Sequence, residues 1–106
     1  MIKITETQIV KACLDYLHLK GIFAKRINTT GIYNYKTGKY IFNPNTPRGM
    51  SDILVVIEGK AIFVECKRKG GKQNENQRAF DAEVRQAGAK YFIIRSVEDL
   101  IKVIPC

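Results

Sequence analysis

The chain has 106 residues, of which 45% are apolar and 26% are charged, so it can form one domain with a modest core. It contains no apolar run of about 18 residues, which excludes a predicted transmembrane helix. Its first residues also lack the apolar core of a secretory signal. We therefore expect a single domain over residues 1–106, located in the cytoplasm.

The cysteine and histidine content argues against two common kinds of stabilising site. Cys13, Cys66 and Cys106 are far apart and form no C-x-x-C pair, and His18 is the single histidine. Neither a zinc site nor a disulfide framework is expected from this pattern. His18 falls within a helical pattern and is expected at the surface, with a role as a catalytic base left as an alternative.

The positive charge is concentrated in the middle of the chain. The net charge is +8, and residues 20–72 hold 11 Lys or Arg residues against three acidic ones. Clustered cations gain from counterion release on a phosphate backbone. The distribution therefore predicts a polyanion-binding face, and the alternative is a solvated surface that only keeps the protein soluble.

The first predicted elements are a helix and a strand. In "ITETQIVKACLDYLHLKG", Thr5 and Gln8 have the spacing of a capping box, and Gly21 marks the end of the helix. The segment "IFAKRINTT" that follows is typical of a strand.

Two hairpins are predicted next. "IYNYKTGKYIFN" has Thr37-Gly38 at its turn and aromatic residues on its arms. Those aromatic residues are Tyr33, Tyr35, Tyr40 and Phe42. Beyond a loop rich in proline and glycine, "DILVVI" and "KAIFVECK" are joined by "EG". Both arms are apolar at nearly every position, which predicts central strands that are covered on both faces.

The C-terminal part predicts a helix, a strand and a short last helix. "NENQRAFDAEVRQAG" begins with a capping box formed by Asn74 and Gln77. "KYFIIR" is typical of a strand, and "SVEDLIKVI" is typical of a helix capped by its serine. The predicted order is α-β-ββ-ββ-α-β-α.

Three charged residues meet at one end of the second hairpin. With Glu58-Gly59 as a two-residue turn, Asp52 falls opposite Glu65, and their Cβ atoms would lie about 4.5–5.5 Å apart. The two carboxylates repel, and a bound Mg²⁺ would remove the conflict. Lys67 projects to the same face and suits the handling of a water molecule, whereas Cys66 points into apolar packing. A plain ion pair between Glu65 and Lys67 is the alternative.

Two polar residues near predicted helix starts are candidates for the same site as Asp52, Glu65 and Lys67. Gln77 continues the apolar stripe of its helix toward the end of the "VECK" strand, so its amide can reach the pocket of these charged residues; the alternative is a helix cap alone. Glu6 extends the buried face of the first helix, and the alternative is a first-turn acid favoured by the helix dipole.

These residues resemble a known pattern. "GMSD…VECK" is similar to the D…(D/E)-x-K pattern of the PD-(D/E)xK nuclease superfamily. More narrowly, nearly the whole chain resembles the VRR-NUC family, the virus-type replication-repair nucleases. The shared features are Glu6, "RINTTG", the glycine two residues before Ser51-Asp52, "VECK", Gln77 and "SVEDL". One departure is Ser51, which stands where the family usually has proline.

The resemblance implies an α/β, restriction-endonuclease-like fold, in which a central mixed β-sheet is flanked by α-helices. It also implies hydrolysis of DNA phosphodiester bonds with Mg²⁺ or Mn²⁺ as the cofactor. The implied catalytic residues are Asp52, Glu65, Lys67, Gln77 and Glu6. The implied metal ligands are Asp52, Glu65, the backbone carbonyl of Cys66, and Glu6, directly or through water.

The resemblance further implies a substrate and an assembly. Small stand-alone members are similar to Holliday-junction resolvases and act as homodimers on branched DNA, whereas larger members carry flap-nuclease activity. The aromatic hairpin at residues 32–42 is a candidate for the dimer contact, for the DNA contact or for core packing. Candidate contacts to the DNA backbone are Lys25, Arg26, Lys36, Lys39, Arg48, Arg68, Lys69 and Lys72.

Other functions remain open at this stage. A DNA-binding module with the same fold would share the basic face but would not cut. A flap or linear-DNA nuclease, an RNA-directed or sequence-specific nuclease, and a structural protein with a basic surface are further alternatives. A viral source, which only the resemblance suggests, would place the protein in the cytoplasm of the host cell.

Overall fold

The computed structural model describes residues 4–27, 32–41 and 50–104. Its elements, in chain order, are α1 (Glu6–Leu19), β1 (Phe23–Arg26), β2 (Ile32–Asn34), β3 (Lys39–Ile41), β4 (Ile53–Ile57), β5 (Lys60–Cys66), α2 (Glu75–Gln86), β6 (Lys90–Ile94) and α3 (Val97–Val103). This is the order predicted from the sequence. Within the described residues, no helix is long and apolar enough to span a bilayer.

The predicted helix starts are confirmed by their capping contacts. The Thr5 hydroxyl accepts the Gln8 N–H at 3.1 Å, and the Gln8 side chain accepts the Thr5 N–H at 2.8 Å. Asn74 and Gln77 form the same reciprocal pair at the start of α2, at 2.8 and 2.9 Å. Ser96 caps α3. Each cap satisfies N–H groups that have no partner inside the helix, which fixes where the helix begins.

The central sheet has the strand order β1-β4-β5-β6 and is mixed, as predicted. β4 and β5 form the predicted antiparallel hairpin, with pairs from Ile57↔Lys60 to Ile53↔Val64. Glu58 and Gly59 form its turn with φ values of 52° and 76°, the left-handed geometry that suits a tight hairpin. β6 pairs with β5 in parallel, and α2 supplies the crossover that such a pair requires.

Helices cover both faces of the sheet at β5, as its continuous apolar pattern predicts. On one face, α1 and α3 pack on a buried cluster that includes Val64, Cys66 and Ile94. On the other face, the Phe80 ring of α2 meets the Phe63 and Tyr91 rings edge-on, with centroids 5.4 and 6.2 Å apart. Successive side chains of β5 therefore point alternately toward the core under α1 and α3 and toward the core under α2.

The structure corrects two details of the predicted strands. β1 begins at Phe23 and ends at Arg26, and the predicted continuation over residues 28–30 lies outside the described residues. β2 and β3 form the first hairpin as a separate two-stranded sheet. Tyr35 lies in its turn and is 89% exposed, so the placement of Tyr35 on a hairpin arm is wrong. Phe42 lies outside the described residues.

Candidate active site

Asp52 lies between the ends of three strands, immediately before β4. Its carboxylate accepts the Cys66 N–H at 2.7 Å, and its backbone carbonyl accepts the Ile27 N–H at 2.8 Å. Ser51, the residue at the usual proline position, is buried, and its hydroxyl donates to the Ile53 carbonyl at 3.3 Å. The serine therefore restrains the start of β4 by a hydrogen bond, in place of the fixed φ of proline.

Glu65 is a buried acid on the α2 side of β5. Only 1% of its surface is exposed, and the hairpin register continues to a position opposite Asp52. Its Oε1 accepts the Tyr91 hydroxyl at 2.6 Å. Its Oε2 is buried and has no hydrogen-bond partner among the residues that the structure describes. A buried carboxylate oxygen without a partner is costly to the fold, so this atom calls for a further ligand.

The surroundings of both carboxyl groups disfavour their negative charges. Burial raises the pKa of Asp52, the Cys66 N–H opposes this rise, and the charge of Glu6 adds to it. Burial likewise raises the pKa of Glu65, although the Tyr91 hydroxyl opposes the rise. Two partly desolvated carboxylates are thus held side by side, an arrangement that a cation between them would stabilise.

Lys67 contacts α2 rather than an acid. It is 9% exposed, and its Nζ donates to Gln77 Oε1 at 3.0 Å. The same oxygen accepts the Asn74 N–H in the capping box. Gln77 therefore caps α2 and also contacts Lys67, so the alternative of a helix cap alone is wrong. The start of α2 and the end of β5 are joined through this one amide.

The interpretation of Glu65 and Lys67 as a plain ion pair is wrong. Across the described part of the chain, the pairs within 4.0 Å are Lys11–Asp15 and Arg85–Asp81. Lys67 lies one residue beyond the end of β5, where its long side chain can turn toward Gln77 instead of running parallel to Glu65. Its ammonium is near both carboxylates without being neutralised by direct contact.

Glu6 is bound to the basic glycine loop after β5. Its Oε2 accepts the Arg68 N–H at 3.4 Å. A Cβ added to Gly71 would lie 3.5 Å from this oxygen and 3.1 Å from the Arg68 carbonyl oxygen, so the glycine allows the loop to approach α1 closely. Among the described residues, no three Asp, Glu, His or Cys side chains form one metal-binding group. Direct ligation by Glu6 therefore stays a prediction.

The residues present fit a hard divalent cation. Mg²⁺ takes oxygen ligands and keeps several waters, so one or two carboxylates suffice to bind it. Asp52 and Glu65 supply these oxygens, and Glu65 Oε2 has no other partner. The Cys66 side chain is excluded, because its hydrogen bond with Cys13 and its burial raise its pKa and keep it neutral. Its backbone carbonyl as a ligand stays a prediction.

The structure describes seven of the eight predicted DNA contacts. Arg26 ends β1 beside Asp52, where its charge opposes the rise in the pKa of that carboxyl. The exposed cations after β5 are Arg68, Lys69 and Lys72; the others are Lys25 on β1 and Lys36 and Lys39 on the small hairpin. Arg48 lies outside the described residues. The contact of each of these cations with DNA stays a prediction.

Sequence reasoning missed two residues that support the site. Tyr91 donates to Glu65, and Arg95 donates to the Gly71 carbonyl at 2.9 Å, which holds the glycine loop against the end of β6. The alternation of side chains in "KYFIIR" predicts Tyr91 and Arg95 on the same face of the strand. Their hydrogen-bond partners, however, depend on how β6 pairs with β5. That parallel register is set by the α2 crossover and is not readable from local sequence.

Glu65→Gln is expected to stabilise the protein in EDTA. Because the fold favours the neutral form of this carboxyl, a neutral isostere should raise the free energy of unfolding by about 1 kcal/mol at neutral pH. Urea denaturation of both proteins measures the difference, with Glu83→Gln on the exposed face of α2 as the matched control. A loss of stability in Glu65→Gln would instead identify this residue as a structural acid.

The comparisons with known proteins concern the fold. No family model and no curated protein sequence matches the chain. A solved structure described as a VRR_NUC domain is similar with a TM-score of 0.66 and 21% identity, over 94% of this chain and 95% of its own. A second, described as a VRR_NUC domain protein, has a TM-score of 0.66 and 12% identity, over 96% and 86%. The fold expected from the sequence is confirmed, and the chain has the fold of VRR_NUC domains.

Proposed function

We propose that this protein is a divalent-metal-dependent endonuclease that hydrolyses DNA phosphodiester bonds, selectively in branched DNA and as a homodimer. The observation that carries the proposal is the pairing of Asp52 with buried Glu65, next to the ammonium of Lys67. Within the described part of the chain, Glu65 Oε2 has no hydrogen-bond partner. A fold shared with VRR_NUC domains supports the proposal. A module that only binds DNA has no use for a buried carboxylate next to a half-buried one.

Asp52 and Glu65 are the residues that would hold Mg²⁺ or Mn²⁺. Held there, such a cation would supply polarisation of a phosphoryl oxygen and a bound water of lowered pKa. The protein contributes a fixed frame, because Asp52 is held by the Cys66 N–H and Glu65 by the Tyr91 hydroxyl. Both carboxylates are therefore positioned before substrate arrives, which reduces reorganisation during the reaction.

Lys67 is the residue proposed to position the attacking water. Its ammonium is mostly buried and bonds to the neutral amide of Gln77, so it retains donors for a water or a phosphate oxygen. In an ion pair with a carboxylate, the positive charge of the lysine would be largely neutralised. Gln77, fixed by its capping box, holds the lysine at the end of β5 and so sets where the water is directed.

The surrounding cations support a backbone-binding role. Arg26 and the loop cations Arg68, Lys69 and Lys72 lie next to the site along the chain or in space. Contacts to phosphates fix the position of a duplex and carry no base information, so cutting should depend on DNA shape. A homodimer would supply two active sites for the two strands of a four-way junction, consistent with a role in DNA repair.

Cleavage of a set of labelled substrates tests the proposal. The substrates are a four-way junction, a flap, a matched linear duplex and a single-stranded RNA, each incubated with Mg²⁺, Mn²⁺ or EDTA. We expect paired cuts in the junction that require metal, and sedimentation velocity should give a dimer. If every substrate stays intact while salt-sensitive binding persists, the protein is a binding module. Preferential cutting of the flap, duplex or RNA would replace the proposed substrate.

The salt dependence of DNA binding should identify the backbone contacts. Arg68→Ala is expected to weaken binding and to reduce the slope of log K against log [salt] by about 1, because one phosphate contact is lost. Fluorescence anisotropy at several salt concentrations measures the slope. Lys60→Ala is the matched control, since Lys60 is exposed at the opposite end of the same strand, beside the hairpin turn. Equal slopes in the two variants would remove Arg68 from the interface.

A further inference from the structure

Tyr91 connects the buried carboxylate of Glu65 to the neighbouring strand. In the parallel register, Tyr91 pairs with Phe63, so its side chain lies on the α2 side of the sheet with Glu65. Its hydroxyl donates to Glu65 Oε1 at 2.6 Å, the length expected when a hydroxyl donates to a carboxylate. Tyr91 is fully buried, and no described residue is hydrogen-bonded to the second oxygen, Oε2.

Tyr91 is itself held on three sides. Its ring meets the Phe80 ring of α2 edge-on, and the Gln73 side chain lies near its hydroxyl. Gln73 also donates to Asp81 at 3.3 Å, and Asp81 pairs with Arg85. Arg85 donates to the Tyr91 carbonyl at 2.8 Å. A network of side chains on α2 and before it thus fixes both the ring and the backbone of this residue.

We propose that Tyr91 is a positioning residue that occupies Glu65 Oε1 and so presents Oε2 to the divalent cation. This role rests on the proposed function. A tyrosine hydroxyl has one proton to donate, and Glu65 Oε1 accepts it. Oriented in this way, the carboxylate offers one defined oxygen instead of two interchangeable ones. Hydrogen bonds of this kind orient metal ligands and raise their affinity for the metal.

A structural role is the alternative to be separated from positioning. The same hydrogen bond would also satisfy a buried acid in a protein that binds no metal. The two roles differ in their effect on the cation. If Tyr91 positions Glu65, its hydroxyl matters for metal affinity in a protein that remains folded; if it only satisfies a buried oxygen, metal affinity does not depend on it.

The first test is a Mn²⁺ titration of the full chain, with free Mn²⁺ followed by electron paramagnetic resonance. Tyr91→Phe removes only the hydroxyl and is expected to weaken Mn²⁺ binding by about 10- to 100-fold. Tyr16→Phe, on the half-buried side of α1, is the matched control and should bind Mn²⁺ as the wild type does. Circular dichroism confirms that both variants are folded.

Cleavage at increasing Mn²⁺ gives a second measurement that a damaged fold would not reproduce. Raising Mn²⁺ should restore the rate of Tyr91→Phe toward that of the wild type, since only the occupancy of the site is reduced. Gln73→Met removes the amide near the Tyr91 hydroxyl from a half-buried position outside the strands, and it should weaken Mn²⁺ binding less than Tyr91→Phe does. If Tyr91→Phe does not fold, the Mn²⁺ affinity of Gln73→Met is compared with that of the wild type instead.

The outcomes separate this inference from the proposed function. If wild type and Tyr91→Phe bind Mn²⁺ with equal affinity, the positioning role is wrong and the nuclease proposal stands. If Tyr91→Phe does not fold, equal Mn²⁺ affinities of Gln73→Met and wild type lead to the same conclusion. A wild-type protein that binds no Mn²⁺ overturns both. Weaker binding in Tyr91→Phe with a rate restored by added Mn²⁺ supports the positioning role.

Discussion

Replacing Asp52 by asparagine is expected to reduce DNA cleavage at least about 1,000-fold, because several kcal/mol of charge stabilisation depends on the bound cation. Asparagine keeps an oxygen that can accept the Cys66 N–H, so the hydrogen bond that fixes this residue is retained. The fold should therefore persist while Mn²⁺ affinity falls. Single-turnover cleavage of a labelled junction, together with a Mn²⁺ titration, measures both effects.

Asp15→Asn provides the matched control for this prediction. Asp15 is exposed on α1 and pairs with Lys11, away from the carboxylates of the sheet. The control should cut DNA and bind Mn²⁺ as the wild type does. Full cleavage by Asp52→Asn would show that the metal is held elsewhere, and the pairing of Asp52 with Glu65 would then need a structural explanation.

Lys67→Met is expected to reduce cleavage by about 100- to 10,000-fold, the range associated with a positioned group that handles the proton of the nucleophile. Methionine has a similar length and fills the buried path of the side chain, so the protein should remain folded. Mn²⁺ affinity should persist, because Lys67 makes no ion pair with either carboxylate among the described contacts. This combination separates Lys67→Met from Asp52→Asn, which loses both activities.

Lys90→Met controls for the loss of one positive charge. Lys90 is exposed at the start of β6, opposite the end of the sheet that carries the carboxylates. It should cut the junction at the wild-type rate. If Lys67→Met also cuts at that rate, the ammonium takes no part in the reaction, and the contact with Gln77 only joins β5 to α2.

Local chemistry explains why much of the fold could be predicted. The register of β4 and β5 follows from a two-residue turn, and Glu58-Gly59 adopts the left-handed geometry that such a turn needs. This register alone brings Asp52 toward Glu65. Capping pairs such as Asn74 with Gln77 likewise fix helix starts within four residues. Turns, registers and helix starts that depend on residues close in sequence could therefore be predicted.

Contacts between distant segments were not accessible in the same way. The bond from Tyr91 to Glu65 depends on a parallel register that a whole helix separates from β5, so no local pattern predicts it. The strand pattern likewise placed Lys67 on the face of Glu65 but could not specify its hydrogen bond with Gln77, because that contact depends on where α2 packs. Tyr35 was placed on an arm because the hairpin turn is longer than two residues.

Anomalous diffraction from a crystal grown with Mn²⁺ tests the central claim most directly, since it locates the cation without relying on activity. Data collected at the manganese absorption edge should show a peak in contact with Glu65 Oε2 and with the carboxylate of Asp52, while Tyr91 still binds Oε1. Clear density for both side chains with no peak between them, at Mn²⁺ concentrations that support binding in solution, would contradict the proposed metal site.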